Sequence, residues 1–357
     1  MIPTWLRTGT VVLAGLLLSA VPTAAHAGID NGGDKGGTEG GDPPAGADGQ
    51  DLFTSIHHSR IQISGSGSKG GSGKGSLTPI DPNWTPPPCW YEPTFKPEQL
   101  RDFVKKLGDH GLAPVAVGNQ WQGPLWEDHY KLGKRWTYDD PGYKDFNVGK
   151  KGMFWRAIER PDSRGNITKW DCFRTAFWVP QGETPKRENA ITPKGLAEYA
   201  YDRVRVPDTE VELKPKAKST VNLPTWAWLD KGTFKDVHVR ASLPDVGMWS
   251  EVTAKPVSLH LNPGTGDAKT YPASGECRIN DDGSIGTPYR AGDSEQDPPC
   301  GIQYLRATDG APYKMKASLT WKITWEGSDH DGVHKMPDGV FETTQAVDVQ
   351  EVQSVNR

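Results

Sequence analysis

The sequence predicts an α+β fold that is mostly β, in which a small Trp-rich α+β domain precedes an antiparallel β-sandwich with immunoglobulin-like architecture. Two observations lead to this prediction. Apolar and polar residues alternate from Met315 to Glu326, which is the period of a strand with one buried face and one wet face. The chain also contains 41 Gly and 30 Pro among its 357 residues, a composition typical of short strands joined by many turns.

Further strands are predicted where alternating or continuous apolar residues return, bounded by turn residues such as Asn262-Pro263-Gly264. In the second domain these strands cover residues 237–243, 257–261 and 340–349, and in the first domain residues 153–158 and 175–179. The Cys…Trp…Cys spacing of a true immunoglobulin domain is absent from the sequence. The immunoglobulin-like architecture therefore depends on the strand pattern alone.

Two helices are predicted in the first domain. Leu100, Phe103, Val104 and Leu107 recur at helical spacing, and Gly108 follows as a stop signal. A second helix is expected from Thr192, as the N-cap, to about residue 203, because Pro193 suits the first helical turn.

The first 27 residues have the three parts of a cleavable secretory signal. Arg7 supplies the basic start, residues 11–18 form an apolar centre, and Ala25-His26-Ala27 is an A-x-A cleavage site. The apolar centre is shorter than the roughly 20 residues that span a bilayer. The first cysteine is Cys89, so lipid attachment at the cut is excluded. We therefore expect a secreted, extracellular chain, in part loosely associated with the cell wall, with no integral membrane segment after signal cleavage.

Four cysteines agree with an oxidising compartment, where an even number usually forms bridges. Three pairings are open. The pairing Cys89–Cys172 with Cys277–Cys300 is favoured, because each bridge then stays within one predicted domain. The spacings suit no zinc module, and the acidic turns at residues 280–283 and 329–332 lack the residue order of a calcium loop. We expect no metal and no cofactor.

The predicted organisation is a signal peptide at residues 1–27, a disordered Gly/Ser-rich tether at 28–77, and domains at 78–208 and 209–357. Within the tether, residues 56–63 could form a strand that docks on the folded part. The glycine-rich tract at residues 67–76 fails as a phosphate loop, because Ser68 and Gly75 replace the required glycine and hydroxyl residue. With a net charge of −4 and no basic stripe, neither ATP nor nucleic acid is an expected partner.

Aromatic and acidic residues concentrate in one part of the first domain, and this is the candidate ligand-binding region. Two carboxylates that flank a sugar can hydrolyse a glycoside, so a hydrolase with acids within residues 127–140 is an alternative function. The competing interpretation is that the acids lie in solvated loops and the tryptophans fill the core. The candidate ligand-binding residues are Trp121, Trp126, Glu127, Asp128 and Trp136.

The motif TPPPCWYEP at residues 85–93, which follows a Gly/Ser-rich tether, and the later VNLPTW at residues 221–226 carry a resemblance. On these motifs the chain resembles a group of exported proteins of unknown function from streptomycete-type actinobacteria. The resemblance spans most of the mature chain and implies an exported location and this overall organisation. The group has no assigned activity, so the resemblance assigns no catalytic residues.

These observations favour a non-catalytic, monomeric protein that acts at or outside the cell surface and binds cell-wall polymer, polysaccharide or another protein. The sequence contains neither G-x-S-x-G nor H-E-x-x-H, which weakens the secreted-hydrolase alternative. A structural component of an envelope complex is the third hypothesis, and the sequence does not separate it from the first.

Overall fold

The computed structural model describes residues 59–67, 75–84, 87–109, 122–135, 141–160, 175–207, 211–216, 218–229 and 235–352. These residues form a mostly β fold with few helices, which confirms the predicted fold class. The immunoglobulin-like architecture stays a prediction. The predicted signal peptide and residues 28–58 of the predicted tether lie outside the described residues.

The strands and helices are numbered in chain order. The strands are β1 Gln62–Ser64, β2 Gly75–Ser76, β3 Thr78–Pro79, β4 Cys89–Phe95, β5 Gly152–Glu159, β6 Phe177–Pro180, β7 Arg205–Val206, β8 Glu212–Lys214, β9 Lys218–Thr220, β10 Pro224–Leu229, β11 Val237–Leu243, β12 Met248–Asn262, β13 Ala268–Tyr271, β14 Glu276–Arg278, β15 Ile285–Gly286, β16 Gly301–Tyr304, β17 Tyr313–Gly327, β18 His334–Lys335 and β19 Gly339–Gln350. The helices are α1 Pro97–Asp109, α2 Gln122–Tyr130 and α3 Pro193–Asp202, and short 3₁₀ turns cover Asp145–Asn147, Pro244–Val246 and Asp293–Glu295.

The largest sheet is built around the long antiparallel pair β12–β17, in the order β1-β11-β12-β17-β19-β3. A bulge between Pro256 and Ser258 shifts the register of this pair. Along β17 the side chains of Met315, Leu319 and Ile323 are buried while their neighbours face outward. The alternation in the sequence is thus a strand with one core face, as predicted.

A five-stranded sheet, with β13-β16-β10-β15 in order and β8 beside β10, supplies a second layer. Its inward residues Ala227 and Ile302 belong to the same apolar core as Leu259 and Ala317 of the large sheet. Helix α3 packs on the large sheet, against β11, β12 and β17. The disulfide Cys277–Cys300 links the two layers through β14 and the start of β16, and its Cα atoms are 5.5 Å apart.

The three-stranded sheet β4-β5-β6 lies between two cores. Tyr91 and Trp155 from this sheet enter the principal core, whereas Phe95 and Phe154 enter a smaller core with helices α1 and α2. Every residue of β4 is therefore buried, including the carboxylate of Glu92.

The principal core draws on both predicted domains. Trp155 and Leu196 from the first share it with Val252 and Trp321 from the second. The predicted boundary between residues 208 and 209 is therefore not a break in the core, because helix α3 covers strands that follow it in the sequence.

Local sequence explains two helices directly. Thr192 caps α3, where its hydroxyl accepts a 3.1 Å hydrogen bond from the backbone N–H of Gly195, and Pro193 occupies the first turn. At the start of α1 the Gln99 side chain accepts from the backbone N–H of Lys96 at 2.9 Å, which is one half of a capping box. Both helices were predicted.

Helix α2 was not predicted. One interpretation of the sequence placed the acids Glu127 and Asp128 in a solvated loop, and the structure places them in this helix instead. Pro124 falls in the first turn, where its missing N–H removes no helical hydrogen bond. Trp126 and Tyr130 lie one turn apart, and Trp126 packs edge-on against Phe103 of α1 at 5.8 Å. Packing against another helix, rather than local periodicity, decides the conformation.

The strand suggested within the predicted tether is present over Gln62–Ser64. It pairs with β11, and the preceding Ile61 is fully buried in the principal core. Cys89 is disulfide-bonded, and its predicted partner Cys172 lies outside the described residues. In the part of the chain that the structure describes, no helix is both long and apolar enough to cross a membrane.

Candidate functional site

The predicted ligand-binding residues do not converge where the structure describes them. Trp126 is half-buried against Phe103 and Tyr130. Glu127 and Asp128 follow it on α2 and each pairs with a lysine, at 3.2 Å for Lys131 and 2.8 Å for Lys134. Neither carboxylate faces the aromatic side chain of Trp126 across a cleft.

The remaining predicted positions, Trp121 and Trp136, lie outside the described residues, as do the acids at residues 139–140. The neighbouring His129 is buried, and its Nδ1–H donates to the carbonyl oxygen of Lys134 at 2.8 Å. A carbonyl oxygen can only accept, so this contact fixes the tautomer and gives the histidine a structural bond.

The structure answers whether the tryptophans are core or surface over the part it describes. Trp90, Trp155, Trp226, Trp321 and Trp325 are buried. The other described tryptophans are half-buried: Trp84, Trp126, Trp178, Trp228 and Trp249. No tryptophan among the described residues is fully exposed. The described tryptophans are therefore mainly packing residues.

A cleft of about 190 Å³ lies where β1, the end of β4 and the turn after β11 meet. Arg60, Lys96 and Asp245 are its charged lining residues, and Gln62 is a further polar one. This volume is below the 300–1,000 Å³ typical of pockets that enclose a whole ligand. The cleft can therefore take one small polar group of a larger molecule. We call it the Arg60 cleft.

A buried carboxylate holds one wall of the Arg60 cleft in place. Glu92 accepts hydrogen bonds from the hydroxyl of Ser59 at 2.8 Å, from Nε1 of Trp90 at 2.7 Å and from the backbone N–H of Arg60. The guanidinium of Arg60 in turn donates to the backbone carbonyl of Thr94. These bonds tie the chain before β1 to β4.

Burial raises the pKa of Glu92, and the hydrogen bonds from Arg60, Trp90 and Ser59, together with the positive charge of Arg60, oppose this rise. Carboxylates with a raised pKa are often found at functional sites, but structural networks raise the pKa as well. Glu92 is fully buried and does not line the cleft, so its role here is to position Arg60.

The charged groups that line the cleft interact with one another. Asp245 lies 3.2 Å from Nζ of Lys96 and 3.9 Å from the guanidinium of Arg60. Both cations of the lining therefore contact the same carboxylate, and Arg60 also acts on the buried carboxylate of Glu92. The side chain of Arg60 is 12% exposed, whereas those of Lys96 and Asp245 are 53% and 36% exposed. A ligand can reach the lysine and aspartate directly.

This lining suits binding better than catalysis. Among the described residues that line the Arg60 cleft, none carries a hydroxyl, a thiol or an imidazole, and Asp245 has no second carboxylate beside it. Acid–base hydrolysis of a glycoside uses two carboxyl groups on either side of the bond. Within the described ranges, no group of three or more His, Cys, Asp or Glu side chains is placed to hold a metal ion.

Sequence reasoning passed over the residues of the Arg60 cleft. Arg60 stands in a short stretch of a glycine-rich segment, and Asp245 stands in a turn more than 180 positions later. One signal was present: Glu92 is a charged residue within the apolar strand CWYEPTF. A charge at such a position must find partners when it is buried.

No protein-family profile, curated protein or solved structure matches this chain.

Proposed function

We propose that this protein is exported and non-catalytic, and that it binds an anionic cell-wall polymer or polysaccharide at the cell surface. The Arg60 cleft receives one acidic group of the polymer. The observation that carries the proposal is the exposed cation of Lys96, which shares the cleft with Arg60 and Asp245. The small cleft has room for one acidic group of a repeating polymer. A polymer offers many such groups, so several weak contacts can add up to stable retention.

Export is supported by the signal sequence and by the disulfide Cys277–Cys300, which is typical of oxidising compartments. The full chain, expressed in a secreting Gram-positive host, is expected in the culture medium or loosely bound to the wall, with Gly28 as its first residue. Mass spectrometry of the N-terminal peptide measures this. Retention of residues 1–27 on a cell-associated chain would contradict the location.

Binding is tested by co-sedimentation of the mature protein with purified cell wall and with insoluble anionic and neutral polysaccharides. We expect retention on an anionic polymer that weakens as salt rises, because exposed charges are screened. Lys96→Gln, which removes a cation from the cleft, should weaken retention. Asp245→Asn, which removes the competing carboxylate, should strengthen it.

Lys105→Gln is the matched control, because Lys105 is an exposed lysine of the adjacent helix α1 and does not line the cleft. This variant loses the same charge and should bind like the wild type. No retention on any polymer at low salt would refute the binding function. Equal losses in the Lys96 and Lys105 variants would show a non-specific charge effect instead of a site.

A further inference from the structure

Arg156 is a half-buried arginine on β5 whose Nη1 atom is buried and has no hydrogen-bond partner. It stands directly opposite Glu92 in the register of β4 and β5. Residues paired in this way point to the same face of the sheet, so an ion pair between the two would be the usual outcome. The described residues contain no such ion pair.

The nearby polar groups are already engaged. The carboxylate of Glu92 accepts from Ser59, Arg60 and Trp90. Tyr130 lies close enough to Arg156 to oppose the lowering of its pKa, and the Tyr130 hydroxyl donates to the carbonyl oxygen of Ala176 at 2.8 Å. No hydrogen bond joins either side chain to Nη1 of Arg156.

The surroundings of Arg156 are apolar and aromatic. Phe154 lies two residues away on the same face of β5. The ring centroids of Tyr130 and Tyr143 lie 5.5 Å and 5.1 Å from the ring centroid of Phe154, in T-shaped contacts. Burial lowers the pKa of Arg156, which shows that this environment disfavours its charge. An unpaired charge is costly in such a place unless an anion accompanies it.

A second half-buried arginine provides the contrast. Arg187 also has a buried Nη1 atom without a hydrogen-bond partner, but its guanidinium lies 4.1 Å from the ring centroid of Phe177 and 5.7 Å from that of Tyr91. The aromatic faces stabilise that cation. No ring contact of this kind is recorded for Arg156 within the described part of the chain.

We propose that Arg156 is the anchor of a second binding site, which takes the oxyanion of a small ligand, a carboxylate or a phosphate group. The planar guanidinium offers parallel N–H donors that match either group. The side chain of Arg156 is half-buried, so part of it faces solvent. Arg156 does not line the Arg60 cleft, so this proposal does not depend on the proposed polymer binding.

The test is thermal unfolding of the mature protein in inorganic phosphate, acetate or chloride at equal ionic strength. A ligand that binds the folded state raises its stability with concentration. We expect the wild type to melt at a higher temperature in phosphate, acetate or both than in chloride, and the active anion identifies the group. Arg156→Met should lose this response. Arg187→Met should keep it.

A direct measurement of binding keeps the proposal testable if Arg156→Met folds poorly. Isothermal titration of Lys96→Gln, which weakens the Arg60 cleft as an anion site, with inorganic phosphate or acetate should give one site. Adding Arg156→Lys, which keeps the charge without the planar fork, should weaken that binding at least tenfold. No oxyanion-specific stabilisation of the wild type and no binding by Lys96→Gln would overturn the proposal. An unchanged response in both Arg156 variants would overturn it equally.

Discussion

Substitution of Glu92 tests whether its hydrogen bonds fix the chain segment before β1 against β4. Glu92→Ala removes the acceptor of three hydrogen bonds, of which the one from Trp90 is buried and the one from Ser59 is partly exposed. A buried donor left unsatisfied costs about 1–3 kcal/mol, and a partly exposed one costs less because water replaces the acceptor. Removal of the buried carboxylate also removes its desolvation cost, which offsets part of the lost free energy. We expect a net loss of about 2–4 kcal/mol in the free energy of unfolding.

Urea unfolding measures the loss, and Glu92→Gln is the matched control. The amide keeps one acceptor oxygen, so about 1–2 kcal/mol should be lost. The rate of trypsin cleavage after Arg60 gives a local measurement, because this bond precedes the buried Ile61. Cleavage should be faster in Glu92→Ala, which no longer holds Arg60 by a hydrogen bond. Equal stability losses in the two variants, or an unchanged cleavage rate in Glu92→Ala, would refute the role given to the hydrogen bonds.

The same residue predicts a pH dependence. Burial raises the pKa of Glu92 above its ordinary value of 4.5, so the folded state binds the proton more tightly than the unfolded state. The stability from this proton is fully present below pH 4.5 and is lost as pH rises through the folded pKa. Glu92→Gln cannot ionise. The stability of the wild type relative to this variant should therefore fall as pH rises above 4.5, and a constant difference would contradict the raised pKa.

Three further predictions concern stability. Thr192→Ala removes the cap of α3 and should cost about 1 kcal/mol in urea unfolding, whereas Thr192→Ser should not. Replacing both Cys277 and Cys300, 23 residues apart, with serine should cost about 3 kcal/mol on the chain-entropy model, and reduction of the wild type should reproduce the loss. Lys255 is exposed directly opposite Lys322, so Lys255→Glu should stabilise the protein by about 0.2–1 kcal/mol at low salt, and a gain that persists in 1 M salt would contradict the electrostatic reason.

The sequence by itself determined the elements whose signal is local. The alternation along β17 specified which side chains are buried, because a strand turns successive residues to opposite faces. The cap of α3 was readable from Thr192 and Pro193, which act within one helical turn. The pairing of Cys277 with Cys300 was favoured from domain membership and is present.

Tertiary structure decided the rest, because the deciding contacts join residues far apart in the chain. Helix α2 depends on the packing of Trp126 against Phe103, and the apolar spacing of its own residues does not predict it. The carboxylate of Glu92 bonds to residues 32 and 33 positions earlier, and Asp245 completes the cleft from a distant turn. Such contacts depend on which strands become neighbours, and a residue's sequence surroundings do not contain that information.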